Sequence, residues 1–383
     1  MTSYNWSLLC SECPATADAA GLPTVCPDCG APWLVSYDSL PSPEVKSTYG
    51  TRQWSMWRYR DWMPLAEGEP PVSLGEGATP MISAPAFAKE YGLATLWIKD
   101  EALNATGSFK ARGMSAAVTR AAAAGAKAFS TPTAGNAGVA LSAYGGRAGV
   151  PVKVFAPRWT PNTILTQIVT FGADLELIDG HIGDCGKVAR VYTAENEAFD
   201  VSTLREPYRI EGKKTMGLEV AEALGWQFPD SLIYPTGGGT GLIGMWKVFK
   251  ELREAGWVNG DLPRLYSVQS EGCAPVVKAF EAGAKKTEPW ENAETVAWGL
   301  RVPAPLGGSL CLRALEETKG AAVAVSDEAA TACAEKIAKT VSVDASPEGG
   351  ATLAALEKLV DAGHIGKSDK VVLFNTGAGW LYR

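Results

Sequence analysis

Histidine is almost missing from this 383-residue sequence: His181 and His364 are the only two, in unrelated surroundings. A hydrolase built around an imidazole base is therefore disfavoured, and both are read as structural or exposed. Excess positive charge is missing too. Thirty-five Lys and Arg stand against 42 Asp and Glu, a formal net charge of −7, so no field draws in nucleic acid or an anionic membrane surface. No apolar run approaches the roughly 18–20 residues of a bilayer span. The opening MTSYNWSLLCSEC has no charged start followed by an apolar run of signal-peptide length. These absences predict a cytoplasmic protein with no nucleic-acid and no membrane partner. No short-period repeat occurs, and residues 116–127 form the one alanine-rich tract.

What is there is an ordinary globular composition, 46% apolar, long enough for two lobes and an appendage. Residues 1–40 hold Cys10, Cys13, Cys26 and Cys29, little continuous apolar sequence, and neither Lys nor Arg. Residues 41–90 are rich in proline and glycine and read as a connecting arm. The body, 91–383, alternates strand-like runs with helical patterns, and about 125–205 is expected to form a smaller lobe. The strand candidates are 95–99, 152–156, 174–178, 232–235, 265–269 and 371–375. Helical patterns start near Arg112, Gly217 and Ser326, the last with an N-cap serine followed by Asp327 and Glu328. The alternation predicts an α/β fold with mostly parallel sheets.

The cysteines of the first zone form two CxxC pairs twelve residues apart, and CPDCG ends in a glycine that permits a tight turn. Four thiolates on two such turns suit a tetrahedral Zn²⁺ and leave no open position, so a bound zinc would be structural. Free surface thiols, or a ribbon that has lost its metal, are the alternative. Cys185, Cys273, Cys311 and Cys333 are isolated and read as core thiols.

Lys110 lies in EALNATGSFKARG, where a strand-to-helix connection is expected. A lone lysine at a helix start is usually solvated; its company changes the reading. TPTAGNAGVALSAYGGRAG at 131–149, YRIEGKKT at 208–215, PTGGGTG at 235–241, LRVPAPLG at 300–307, SPEGGATLAAL at 346–356 and LFNTGAG at 373–379 follow TGSFKARG in order. Together these segments resemble the fold-type II pyridoxal-phosphate enzymes of the tryptophan synthase β-like family, and among them the threonine synthases. The resemblance covers roughly residues 75–383, and the CxxC pairs resemble a zinc-ribbon-like extension of some members.

The resemblance implies a two-lobed body and pyridoxal 5'-phosphate held by Lys110 as a Schiff base, with Lys110 then moving protons between substrate carbons. It implies that Asn136 bonds the cofactor's phenolic oxygen and Thr376 its ring nitrogen. Gly237, Gly238, Gly239, Thr240 and Gly241, after a strand and before a helix, would cradle its phosphate; they lack the GxGxxG spacing of a dinucleotide fold. Thr133, Ala134 and Gly135 would take the substrate carboxylate. Arg209 and Lys214, in a cluster with Lys213, would take a substrate phosphate, the competing view being surface ion pairs with Glu206 or Glu211. The implied protein is a homodimer acting on an amino acid.

The match thins at three places. Ala105 stands where many relatives have proline, Thr203-Leu204 replaces a polar Asn-Ser pair, and the glycine loop lacks an interrupting Asn. The last two lie where relatives meet the substrate phosphate. The implied reaction is conversion of O-phospho-L-homoserine and water to L-threonine and phosphate by γ-elimination and β-addition. β-Replacement or elimination on serine, phosphoserine or a related amino acid stays open, as does a catalytically silent zinc-ribbon binding module.

Overall fold

The computed structural model, which describes residues 4–383, opens on three short strands, β1 (Trp6–Cys10), β2 (Thr16–Ala17) and β3 (Trp33–Tyr37). Two 3-10 helices follow, Pro43–Thr51 and Met56–Trp62, each begun by a serine, Ser42 or Ser55, whose hydroxyl accepts a first-turn N–H. Next come β4 (Met81–Ser83), α1 (Pro85–Glu90), β5 (Thr95–Asp100) and α2 (Lys110–Ala123). The chain then alternates β6 (Phe129–Pro132), α3 (Asn136–Ala148), β7 (Val152–Pro157), α4 (Asn162–Thr170), β8 (Asp174–Ile178), α5 (Ile182–Glu195), β9 (Phe199–Asp200) and α6 (Tyr208–Ala223). It continues through β10 (Ser231–Pro235), α7 (Thr240–Glu254), β11 (Arg264–Ser270) and α8 (Pro275–Glu281). Then follow α9 (Gly308–Glu317), β12 (Ala321–Val325), α10 (Asp327–Val341), α11 (Pro347–Asp361) and β13 (Lys370–Asn375).

Two compact units result. The first takes residues up to Gly77, 104–106 and 110–213. It holds the antiparallel ribbon, order β2-β1-β3, and a parallel sheet, order β8-β7-β6-β9. The 3-10 segments are anchored by apolar burial, since Tyr49, Met56, Tyr59 and Trp62 are all buried. In α3, a Cβ on Gly145 would fall inside contact distance of the Val152 side chain, so glycine there lets the helix lie close on β7.

The second unit takes residues 78–103, 107–109 and 214–383. Its sheet, order β12-β11-β10-β13-β5-β4, is parallel except for the antiparallel edge strand β4. Strands β10, β11 and β13 are buried almost throughout, which is why LIYP, LYSVQ and VVLFN read as continuous apolar runs and do not alternate. Helix α10 is capped as its sequence predicts, the Ser326 hydroxyl accepting from Ala329 N at 3.1 Å. The α/β class with mostly parallel sheets is thus what forms. Among the described residues, no helix is long and apolar enough to cross a membrane.

Candidate active site

In the first unit, Lys110 is the first residue of α2. One turn on, a Cβ at Gly113 would lie 2.9 Å from Lys213 Cε and 3.1 Å from the Arg209 carbonyl oxygen, and a Cβ at Gly212 would strike the Arg112 carbonyl. The two glycines let α2 and the first turns of α6 meet backbone to backbone. This close approach puts Lys110 and Arg209 within electrostatic reach of Lys213. Lys213 is buried; burial, then the charges of Arg209 and Lys110, push its ammonium well below the ordinary lysine range, with Glu206 pulling the other way.

Arg209 is 1% exposed. Its Nη1 donates to the Val201 carbonyl at 2.9 Å, while Nε and Nη2 have no hydrogen-bond partner among the described residues. Glu206 faces it. Its Oε2 accepts from Tyr208 N at 2.7 Å and Arg209 N at 2.9 Å, capping α6, while Oε1 is unpaired and 4.0 Å from Arg209 Nε. Burial pushes the Glu206 carboxyl up to about 7 against the opposing pull of Arg209. Idle buried donors cost about 1–3 kcal/mol each and more when charged, so two nitrogens of this guanidinium keep unused hydrogen-bonding capacity. Glu211, one turn further, accepts from Tyr37 Oη at 2.6 Å. None of these is a surface ion pair.

The segment after β6 carries Thr133, Ala134 and Gly135 into Asn136, the first residue of α3. Thr133 Oγ1 accepts from Gly135 N at 3.2 Å, fixing the turn, and the cap position of α3 has no side-chain acceptor for the first N–H groups. These N–H groups and the positive helix end suit a carboxylate.

In the second unit, the glycine loop joins β10 to α7. A Cβ on Gly237 would strike the Gly299 carbonyl, one on Gly239 the Cys311 sulfur, and one on Gly241 the Tyr234 hydroxyl. Gly239 also has φ +83°, in the left-handed region. With glycine at the cap of α7, no cap side chain accepts from its first-turn N–H groups. Thr376 follows β13 directly, and its carbonyl accepts from Phe109 N, the residue before Lys110, at 3.0 Å. Asn375 holds this strand end, donating to Asp100 Oδ1 at 2.8 Å and accepting from Ser346 N at 3.2 Å. Lys214 is paired with Glu251 at 2.9 Å, a carboxylate that also receives Lys247. The two neighbouring lysines of the basic cluster thus go to different partners.

The four ribbon cysteines converge: their sulfurs all lie within 4.8 Å of one another. Cys10 to Cys29 is 3.4 Å, Cys13 to Cys29 3.6 Å and Cys13 to Cys26 3.7 Å. The remaining cysteines are buried free thiols. His181 caps α5 in a reciprocal pair with Asp184, and His364 is exposed beside Tyr266.

Residues 72–377 match the family model described as pyridoxal-phosphate dependent enzyme. The chain belongs to this family. It is 33% identical over 373 residues to the threonine synthase of Methanosarcina acetivorans, covering 97% of this chain and 91% of that one. To the threonine synthase of Mycobacterium tuberculosis it is 35% identical over 322 residues, covering 84% and 86%. Solved structures share the fold. Maize serine racemase superposes with a TM-score of 0.69 at 23% identity, covering 79% of this chain and 88% of that one. A threonine deaminase from T.th. superposes with a TM-score of 0.66 at 23% identity, covering 78% and 92%. The architecture is therefore fold-type II, and the residues present suit pyridoxal phosphate: an amine at a helix start, and a loop between a strand and a helix whose Gly237, Gly239 and Gly241 admit no Cβ.

Proposed function

We propose that the protein converts O-phospho-L-homoserine and water to L-threonine and phosphate. One observation carries this reading. The glycine loop of the second unit would take the cofactor's phosphate, yet in the first unit the buried guanidinium of Arg209, on the same side of α6 as Lys213, has two nitrogens without a hydrogen-bond partner. A phosphorylated substrate needs a second anion site; serine does not. The threonine synthases among the relatives support it.

In this reading Lys110 attaches the cofactor, Asn136 bonds its phenolic oxygen, Gly237, Gly238, Gly239, Thr240 and Gly241 hold its phosphate, and the Thr376 hydroxyl partners its ring nitrogen. When bound, the cofactor takes up the electron pair left on the substrate's Cα as a proton departs. Thr133, Ala134 and Gly135, with the α3 terminus, orient the substrate carboxylate. Lys110, freed when the substrate's amine takes its place, holds and moves the protons at Cα and Cβ. Arg209 holds the phosphoryl group that leaves Cγ. Lys214, fixed on Glu251, steadies α6.

The test is stoichiometric. With O-phospho-L-homoserine, phosphate released should equal threonine formed; phosphate without threonine, or faster ammonia release from serine, would overturn the assignment. Arg209→Lys should lower kcat/KM by about 10²-fold, chiefly through KM, because a point charge replaces a two-pronged donor.

A structural zinc belongs to the same proposal. Thiolates about 2.3 Å from a tetrahedral Zn²⁺ lie about 3.8 Å apart, near the sulfur spacings found. Metal analysis should give one zinc per chain. Stripping it should speed hydrogen exchange across β1–β3 while β10 and β13 stay protected; unchanged ribbon exchange would argue against a structural metal. The reading also carries a cytoplasmic homodimer, which sedimentation and fractionation would check.

A further inference from the structure

We propose that Glu206 makes the Arg209 site selective for an oxyanion that carries a proton, so that it accepts hydrogen phosphate, or a phosphomonoester in its monoprotonated form, and rejects sulfate or a sulfonate. This rests on the reading of Arg209 as the substrate's anion site and adds which anion it takes.

The geometry pairs two incomplete groups. Glu206 Oε1 and Arg209 Nε, both buried and both without a hydrogen-bond partner, stand 4.0 Å apart. That is too far for a bond between them, but an oxygen about 2.8 Å from each fits between. The guanidinium requires acceptors. The carboxylate, its other oxygen already occupied by two backbone N–H groups, requires a donor. A hydrogen phosphate supplies both, as P–O–H toward Oε1 and P–O⁻ toward Nε and Nη2. Sulfate at neutral pH supplies acceptors alone and would set lone pair against lone pair in a dry site.

The surrounding charges do not remove this conflict. From α6 the carboxylate faces Arg209 and Lys213. Arg209 in turn faces Asp200 from the preceding strand, and Asp200 is 3.8 Å from Arg205. From α2, Lys110 acts on Lys213, whose ammonium is pushed well below its usual range. Arg209 is thus the steady positive charge against both Glu206 and the bound anion. Sulfate can enter only if Glu206 first takes up a proton, and burial, which holds that carboxyl near about 7, makes this accessible on the acid side alone.

The test titrates the cofactor-loaded enzyme with inorganic phosphate and with sulfate by calorimetry, at matched ionic strength, from pH 7 to 9. Wild type should prefer phosphate by at least about 10²-fold at pH 8.5, since a site built for a hydroxyl rejects the analogue without one. Sulfate affinity should fall about tenfold per pH unit above the carboxyl's titration while phosphate holds steady. Titration of Lys213 shifts both anions together, so their ratio isolates Glu206. In Glu206→Gln the amide oxygen still caps α6 and the NH₂ donates to either anion, so the ratio should collapse to within about threefold.

Arg209→Lys should weaken both anions. If it does, but the ratio is unchanged in Glu206→Gln, the inference is overturned and the anion site stands. If neither anion responds to Arg209→Lys, the anion site falls and the inference with it. Should Glu206→Gln not fold, a wild-type phosphate-to-sulfate ratio that is flat with pH overturns the inference equally.

Discussion

Lys110→Ala is expected to abolish turnover, by about 10³-fold or more, with the fold intact. The expectation follows from the two duties that the proposed function gives one amine, attaching the cofactor and moving substrate protons, the second alone worth about 10²–10⁴ in rate. Lys110 is the half-buried first residue of α2 and no part of its apolar face, so its replacement by alanine, a good helix former, should leave circular dichroism unchanged. Borohydride reduction of the wild type followed by peptide mapping should place the cofactor on the peptide containing Lys110, and the variant should yield no adduct. The structure supplies a rival that makes this test sharp. Lys213, in the same unit, is fully buried and pushed toward the neutral, nucleophilic form by burial and by its cationic neighbours. An adduct on Lys213 in the wild-type protein would sink the assignment.

That rival was only half legible in the sequence, and the reason is geometric. Successive residues on an α-helix point about 100° apart, so Lys213 and Lys214, alike in a basic string, part company: one packs on Gly113, the other reaches Glu251. A helix starting at Tyr208 puts Glu206, Arg209 and Lys213 at intervals of three and four, on one face. The pattern reading starts this helix only near Gly217, because Gly212 and Gly217 look like helix breakers. Both are there for contact, Gly212 against Arg112 and Gly217 against Val248. With that start missed, Glu206 reads as a surface partner for a basic cluster. Its burial and its unpaired oxygen come from tertiary packing and leave no local mark.

Strand reading shows the same division. The six runs at 95–99, 152–156, 174–178, 232–235, 265–269 and 371–375 appear within a residue of their expected ends, the inner strands because burial on both faces makes them mainly apolar and the edge strand DLELI because it alternates. Strands β6, β9 and β12 escape: FSTP ends in proline, FD is two residues long, and AAVAV carries as much alanine as a helix. The arm hides its structure differently, since 3-10 turns repeat every three residues and show no 3.6-residue period.

Gly237→Ala is expected to cost both cofactor affinity and stability, and the reason lies in what the new methyl meets. The obstacle is the Gly299 carbonyl, backbone that cannot rotate away, with Val302 Cγ2 3.0 Å off on the same side. Relief requires the 298–302 segment to retreat. That segment is held: Gly299 N donates to Glu348 Oε1 at 2.7 Å, the same oxygen accepts from Tyr382 Oη at 2.7 Å, and Trp298 stacks on Tyr382 at 5.1 Å. Glu348 is buried at the start of α11, so displacing Gly299 strips a partner from a buried carboxylate. Overpacking and the lost bond together should destabilise by about 2–3 kcal/mol, a fall in melting temperature of about 2–4 °C. If the loop yields instead, the backbone that the proposed function sets against the cofactor's phosphate moves, and cofactor affinity should drop about 100-fold or more, read by equilibrium titration of cofactor absorbance. Gly125→Ala is the control for handling and expression: it too removes a glycine, but nothing lies within 4 Å of the added carbon, and only its φ of +84° opposes the change. Equal loss of cofactor affinity in the two variants would mean the glycine loop is an ordinary turn and no phosphate cradle.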